Sequence, residues 1–456
     1  DWEDADLLVL TGANTAWCHP VLYQRAAAAR RARPDMRVVV IDPRRTATCE
    51  LADLHLPLAP GTDVVLFSGL LAWLYQQGHG DGAFVAAHTE GLDEALGLAR
   101  WHAPSPAAVA ALCGLEEAAV DAFYRWFAAT ERTLTVYSQG VNQSSAGSDK
   151  VNAIINCHLL TGRIGRPGMG PFSVTGQPNA MGGREVGALA NQLAAHMDFS
   201  APADVERVAR FWEAPRMARG PGLKAVELFR AVERGEVKAL WVMATNPAVS
   251  MPDSEQVRRA LARCEFLVVS DCVAETDTTT HAHVLLPALA WGEKEGTVTN
   301  SERRISRQRA FLPPPGEARP DWWILSACAR RMGFPGFDYD HARAVFDEHA
   351  RLSGFENGGT RDFDLSGLAG LDAAAYDALA PVQWPLPAGG GGGAGRLFGA
   401  GGFFTPSGRA RFVPVVSRPP GHWPSPEYPL VLNTGRVRDQ WHTRTRTGKS
   451  PRRAGH

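Results

Sequence analysis

A single pattern is written twice along this chain, and it restricts the fold more than any other feature. The first copy opens with ADLLVLTGAN (5–14), an apolar run ending in a Gly turn, continues through a helical stretch from Val21 to Arg33, and closes on RVVVID, ending at Asp42. The second opens with VKALWVMATN (237–246), continues through a helix from Asp253 to Arg263 with Asp253 as its N-cap, and closes on EFLVVSD, ending at Asp271. Each copy then crosses a Thr-rich stretch (Thr46 and Thr48; Thr276 to Thr280) into a short strand with a Leu-Pro end, ADLHLPL and HAHVLLPA. Asn14 to Asp42 spans 28 residues and Asn246 to Asp271 spans 25; Asp42 to Pro57 spans 15 and Asp271 to Pro287 spans 16. Strand, helix, strand at this spacing is a βαβ unit, which forces the two strands to run parallel. The chain is therefore expected to be α/β with two related doubly wound halves.

In such units a ligand phosphate sits over the turn after the first strand, and the acid ending the next strand accepts ribose or base donors. Two copies suggest two nucleotide-bearing moieties; for either copy alone, generic α/β packing is the competing reading, because neither carries a full G-x-G-x-x-G. Residues 159–187, LLTGRIGRPGMGPFSVTGQPNAMGGREVG, are dense in Gly and Pro and hold no usable helical or strand period. The interleaved Met169, Phe172, Val174, Met181 and arginines are foreign to a mobile linker, so this stretch reads as a loop wrapped over a large ligand.

At 456 residues the chain exceeds what one core organises, so two or three domains are expected. With 47 basic and 48 acidic residues, nothing points to nucleic acid or an anionic membrane as partner. The longest apolar run, near Val64 to Tyr75, falls short of the roughly 18 residues a membrane span needs. Seven scattered cysteines with no C-x-x-C pair argue against a disulfide framework or a zinc or iron–sulfur site within this stretch, and a reducing, cytoplasmic compartment is the default. The opening at Asp1 and the polar, basic close suggest a piece of something longer.

Residues 64 to 129 read as largely helical, followed by a strand in TLTVYSQG; the Gly-rich loop is expected to lead into a helix, REVGALANQLAAHM. A Pro-rich turn (Pro313 to Pro320) precedes a helix near Trp322 to Met332, AGGGGGAGRLFGAGG (388–402) reads as linker, and LVLNTG begins a fresh strand beyond Pro429. The expected division is 1–135, a first dinucleotide-binding domain; 136–387, a second, carrying the loop; 388–428, a linker; and 429–456, the start of another domain.

The motifs LTGANTAWCHP, LLTGRIGRPG, TGQPNAMGGREVG, ATNP, WGEKEGTVTNSERR and TGRVRDQWHTRTRTG, spread over nearly the whole chain, resemble those of molybdopterin-dependent oxidoreductases that bind two guanine dinucleotide pterins around one molybdenum. Within that family the chain is most similar to bacterial assimilatory nitrate reductase catalytic subunits. The segment GQPNAMGGREVG separates it from formate dehydrogenases, which usually carry a GQNNVQG-like version there. The resemblance implies Rossmann-like halves of the DMSO-reductase/formate dehydrogenase type and the start of a C-terminal β-barrel. It implies one dinucleotide over Thr11, Gly12, Ala13 and Asn14, with Asp42, Pro43, Arg44, Gly61, Thr62 and Asp63 around its nucleotide end. It places the second over Asn246, Ser270, Asp271, Lys294 and Asp321, gives pterin contacts to Gln139 and Gln143, and makes Thr434, Gly435, Arg436, Trp441, His442 and Thr443 the start of a domain closing over both cofactors.

The implied chemistry is nitrate reduction to nitrite by oxygen-atom transfer, fed by ferredoxin, flavodoxin or a NADH-linked reductase subunit. A substrate anion needs a fixed cation, and Arg184 is the candidate; a salt bridge or a pterin phosphate is its alternative role. Met181 is either a wall of the same pocket or core packing. The family's 4Fe-4S cysteines and its molybdenum-ligand cysteine lie upstream of where this chain starts, so none of the seven cysteines is a metal ligand, Cys18 reads as a packed thiol, and this segment alone is expected to be inactive. His281 and His283 read as structural or solvated, His19 as support for its turn, and the basic tail (Arg444 to Arg453) as a pyrophosphate contact or truncated barrel strand. Formate oxidation is the alternative chemistry. A non-catalytic scaffold resembling the large iron–sulfur subunit of complex I is the alternative class, against which Lys294 and the two nucleotide turns speak.

Overall fold

The first apolar run forms β1 (Leu7–Thr11), and the chain returns through helix α1 (Pro20–Ala32), with Pro at its first turn, to β2 (Arg37–Ile41) and then β3 (Leu54–Leu56). The computed structural model describes residues 1–390, 395–422, 424–433, 435, 437–438, 440 and 443–450. The chain divides into two compact units, 1–176 with 395–438 and 177–394 with 439–456.

In the first unit the helical stretch begins with α2 (Asp63–Gln76) and continues through helices Gly82–His88, Leu92–His102, Pro106–Cys113 and Glu117–Ala129. Then come β4 (Thr133–Tyr137), α3 (Gly147–Leu160) and β5 (Gly170–Ser173). The sheet is parallel throughout, in the order β3-β2-β1-β4-β5. Its central strands are apolar on both faces because both are covered: Leu7, Val9, Val39 and Ile41 face one core, Leu8, Leu10, Val38 and Val40 the other. Helix α2 is buried along nearly its whole circumference, and Tyr124 caps its packing by donating to the Leu66 carbonyl at 2.7 Å.

Three expectations change here. The Gly-rich segment is not loop throughout, since residues 170–173 extend the sheet as an edge strand, where Pro171 is tolerated. Because β4 and β5 join β1, the first unit runs to residue 176 rather than 135. The described part of the expected linker is also packed: Arg396 pairs with Asp1 at 2.5 and 3.0 Å, strand Ala410–Arg411 lies parallel to Thr89–Glu90, and Phe412 and Val415 are buried. The Asn156 side chain holds the Val413 peptide from both sides, at 2.8 and 3.2 Å.

The second unit opens with α4 (Ala180–Glu185). Its repeat copy is β6 (Ala239–Met243), α5 (Ser254–Arg263), β7 (Phe266–Asp271) and β8 (Val284–Pro287), a parallel three-stranded sheet in that order. Asp253 caps α5 as expected, accepting from the Gln256 amide at 3.2 Å. An antiparallel sheet follows, β9 (Gly296–Thr299), β10 (Arg304–Gln308) and Val382–Gln383, with α6 (Asp321–Arg331) between.

The helix expected over 184–197 stops at Glu185. Gly187 adopts φ +69° and its amide turns back to the Arg184 carbonyl at 3.0 Å, a helix-ending geometry that glycine permits; the Ala195 amide then returns to the Glu185 carbonyl at 2.7 Å. The strand expected from LVLNTG does not form among the described residues 429–433. Leu430 and Leu432 there are 85% and 90% exposed, and no described neighbour supplies the ladder partners a strand requires.

Candidate nucleotide cradles

The two copies match atom for atom at the carboxyl ends of their strands. After β1, Gly12 takes φ +56° and donates to the Ile41 carbonyl at 2.9 Å; after β6, Ala244 takes φ +56° and donates to the Ser270 carbonyl at 2.9 Å. Thr48 donates to Asn14 Oδ1 at 3.0 Å and accepts from the Ala16 amide at 3.1 Å. Thr278 donates to Asn246 Oδ1 at 2.7 Å and accepts from the Ala248 amide at 3.2 Å. The acids also agree: Asp42 Oδ1 accepts from the Arg44 amide at 2.9 Å, and Asp271 Oδ1 from the Val273 amide at 3.0 Å. Even the supporting strand ends correspond, as Asp53 accepts from the Val38 amide and His283 from the Leu267 amide, at 2.8 and 2.9 Å. His283 is thus a backbone acceptor, consistent with its structural reading. Among the described residues no group of three His, Cys, Asp or Glu side chains could hold a metal ion.

In the first unit the turn after β4 lies directly across from the turn after β1, at the point where the strand order reverses. The Gly140 amide donates to the Gly12 carbonyl at 3.0 Å, which brings Gln139 and, at the end of its one-turn helix, Gln143 to the same sheet edge as Thr11, Ala13 and Asn14. Asp42 is half-buried beside exposed Pro43 and Arg44; burial pushes its carboxyl up, opposed by the Arg44 amide and charge and by His55, and Asp63 pushes it further up. Thr62 donates to the Ala59 carbonyl at 2.7 Å, and Gly61 packs on Pro420. Asp63 is engaged by a residue the sequence did not single out: Lys150 Nζ lies 2.6 Å from it, both side chains buried. Gly435 lies against the Arg44 guanidinium. His19 supports its turn through the Thr175 carbonyl at 3.0 Å.

In the second unit Ser270 Oγ is taken by Trp241 Nε1 at 2.8 Å, and Lys294 and Asp321 pair with each other at 2.9 Å, leaving two further donors on the ammonium. The tail reaches this cradle: Thr445, hydrogen-bonded to Thr443 at 2.8 Å, meets Asn246 Nδ2 at 3.0 Å, and Arg446 Nη2 donates to Asp271 Oδ1 at 2.9 Å. Asp271 therefore accepts from a planar, charged N–H donor group. Thr434, Arg436, Trp441 and His442 lie outside the described residues.

Met181 and Arg184 sit three residues apart on α4, hence on one face, Met181 half-buried and Arg184 exposed. Beside them Glu185 is buried and accepts from Thr299 Oγ1 at 2.8 Å and Trp384 Nε1 at 2.7 Å. Burial raises its carboxyl above the ordinary range, Thr299, Trp384 and His196 lower it, and Asp362 raises it. An acid raised in the fold is more protonated there than in the unfolded chain, so its contribution to stability is greatest below the unfolded value and is lost as pH rises through the folded one. Glu185→Gln removes that dependence. Thermal unfolding of the two proteins across roughly pH 4 to 8 should show the variant gaining on the wild type as pH rises; a constant difference would refute this.

The chain belongs to the molybdopterin oxidoreductase family, whose sequence model matches residues 1–331. It is 56% identical to a nitrate reductase of Klebsiella oxytoca over 100% of this chain and 51% of that protein, and 51% identical to a nitrate reductase of Shewanella frigidimarina over 98% and 48%. The chain thus spans about half the length of these curated relatives. Among solved structures it is similar to the acetylene hydratase of Pelobacter acetylenicus, with a TM-score of 0.66 and 18% identity over 91% of this chain and 56% of that one, a likeness of fold.

Proposed function

We propose that this chain is the cofactor-binding body of a molybdenum nitrate reductase catalytic subunit, cytoplasmic, reducing nitrate to nitrite on a bis-molybdopterin guanine dinucleotide. The observation that carries the cofactor reading is the duplicated cradle: the same Asn–Thr pair at a helix start and the same acid after the next strand, twice in one chain. The first cradle fits a polar ligand by a further test, since Thr11 Oγ1, Asn14 Nδ2 and Thr15 Oγ1 are buried without partners among the described residues, and leaving such groups unmet costs about 1–3 kcal/mol each. The second fits by the chemistry of its acid, because the paired N–H edge of guanine presents to Asp271 the kind of planar donor that Arg446 presents.

When bound, the pterin-held molybdenum supplies the two-electron oxygen-atom chemistry. The protein's own residues bind and orient. Asn14 with Thr48 and Asn246 with Thr278 hold the turns that receive the two ligands, Asp42 and Asp271 accept their base or ribose donors, Lys294 offers positive charge, and Gln139 and Gln143 border the pterin side. Arg184, exposed on a pinned helix, supplies the fork that a planar anion requires, with Met181 as the apolar wall beside it. In the parent protein we assign the 4Fe-4S cluster to a segment outside this chain, and electron supply to ferredoxin, flavodoxin or a NADH-linked subunit.

The complete parent protein, purified and assayed for molybdenum, guanine nucleotide and nitrate-dependent oxidation of reduced viologen, decides the reading. Molybdenum with about two guanine nucleotides per chain and nitrite as product are expected; formate oxidation without nitrate reduction, or no molybdenum, would overturn it.

A further inference from the structure

The segment carrying Met181 and Arg184 is held by one buried residue, and two strands of the antiparallel sheet do the holding. Thr299, the last residue of β9, makes a double clasp: its amide donates to Asn179 Oδ1 at 2.8 Å, just before α4, and its hydroxyl donates to Glu185 Oε2 at 2.8 Å, at the end of α4. Trp384, directly after strand Val382–Gln383, donates to the other Glu185 oxygen at 2.7 Å, and its own amide is tied to the Arg303 carbonyl at 3.1 Å. Both carboxylate oxygens of Glu185 are thus used, by donors from two strands that flank β10. Glu185, Thr299 and Trp384 are 3%, 3% and 2% exposed, so the clasp is sheltered from water, where a hydrogen bond to a carboxylate orients its partner firmly.

The surroundings reinforce the clasp. His196, at φ +56°, crosses the Trp384 ring edge-on at 5.6 Å, leans on Phe363 at 5.1 Å and is fixed by Asp362 at 2.8 Å. Arg303, at φ +65°, lies over the indole ring at 5.2 Å and donates to the Trp384 carbonyl at 2.5 Å. Residues held in left-handed backbone away from glycine cost energy, and two of them converge on one indole whose only polar atom points at Glu185. Gly182 in α4 has no room for a side chain, because a Cβ there would lie 2.3 Å from Asn179 Oδ1, the other arm of the clasp. None of this touches Arg184 directly. It fixes the one-and-a-half turns of helix from which Met181 and Arg184 project.

We infer that Glu185, clasped by Thr299 and Trp384, is a positioning residue that sets where the Arg184–Met181 face meets the substrate anion. The inference rests on the nitrate reading, and its effect belongs to substrate affinity: a displaced guanidinium fork no longer matches a planar anion. The motif WGEKEGTVTN then has a role besides Lys294, because it delivers Thr299.

In the complete parent enzyme, Glu185→Ala should raise KM for nitrate about tenfold or more while kcat stays within roughly threefold. Glu185→Gln should recover most of the affinity, since its Oε1 accepts from Trp384 and its amide donates to the Thr299 hydroxyl. Thr299→Val, which keeps the backbone bond to Asn179, should fall between them, and it serves as the milder test if Glu185→Ala fails to fold. Amide hydrogen exchange over 180–197 should quicken in Glu185→Ala and return in Glu185→Gln. Quickened exchange with unchanged KM would reduce the clasp to a structural role and overturn the inference, as would unchanged exchange. A wild-type parent inactive on nitrate would overturn the functional reading itself, which the wild-type control separates from failure of the variants.

Discussion

Asp63→Ala is expected to destabilise the first unit by about 3–5 kcal/mol, because it strands the Lys150 ammonium 2.6 Å from where its charged partner stood, in a site where neither side chain is more than 10% exposed. The direct attraction is the smaller part of that figure. The greater part is the desolvation of an ammonium that has lost its counter-charge, an expense the folded state bears and the unfolded chain does not. A further few tenths of a kcal/mol arise because Asp63 is the first residue of α2, where a negative charge complements the helix dipole. Lys150→Met in the same chain should restore most of the loss, since an apolar side chain of similar length fills the space without a charge to desolvate. Urea unfolding of wild type, both single variants and the double variant closes the cycle. Additivity of the two singles, with no recovery in the double, would refute the pairing. The same variant reports on the cradle: Asp63 is one of the groups that push the Asp42 carboxyl up, so its removal should let Asp42 ionise at lower pH, a change visible in carboxyl NMR titration.

The repeat was legible because its information is local. Apolar runs of strand length, a cap at Asp253 and acids closing the second strands are each set by neighbours in sequence, and all of them fold as read. The helices from Asp63 to Ala129 were legible for the same reason. What sequence could not deliver were the pairings. Asn14 finds Thr48 across 34 residues and Asn246 finds Thr278 across 32; the Thr-rich stretches stood out as a shared feature of the copies, yet nothing in composition says that a threonine hydroxyl will sit between an asparagine and a helix amide. Lys150 carries no local mark in the sequence that pairs it with Asp63, 87 positions away; only the fold brings the two together.

The misreadings share one cause. REVGALANQLAAHM has helical spacing, but buried hydrogen bonds at Glu185 and the left-handed turn at Gly187 outweigh the propensity of the following alanines and leucines, each worth only tenths of a kcal/mol. GPFS at 170–173 has no strand period, yet β4 offers an unpaired edge, and backbone groups near an open edge pair with it. The stretch at 395–415 looks like linker by its glycines, but its Phe412 and Val415 fill a core whose shape sequence alone does not reveal. In each case a distant partner decided between local alternatives of similar energy.

Gly12→Ala should be the most disruptive single-methyl change in the first cradle. The two turns that face each other at the reversal of strand order touch through their backbones: a Cβ on Gly12 would lie 2.7 Å from the Val141 nitrogen, and a Cβ on Gly140 would lie 2.6 Å from the Gly12 Cα. Neither neighbour can yield, because both are backbone fixed by strands on either side and by the Gly140 amide bond to the Gly12 carbonyl. At Gly12 the clash adds to φ +56°, a left-handed conformation costing an alanine about 1–2 kcal/mol, and overpacking of a closed site costs typically 1–3 kcal/mol more. The sum, about 2–5 kcal/mol, should appear as a lowered midpoint of the first unit's unfolding transition in the complete protein. Gly140→Ala, with the clash but without a left-handed φ, should lose less, and the difference between the two variants isolates the conformational part. Ala244 makes the comparison internal, since the second copy carries an alanine at the equivalent φ of +56° and bears that strain already. Ala244→Gly should therefore be neutral or slightly stabilising, whereas equal losses from Gly12→Ala and Gly140→Ala would show that the close approach alone, and not the backbone twist, makes glycine necessary there.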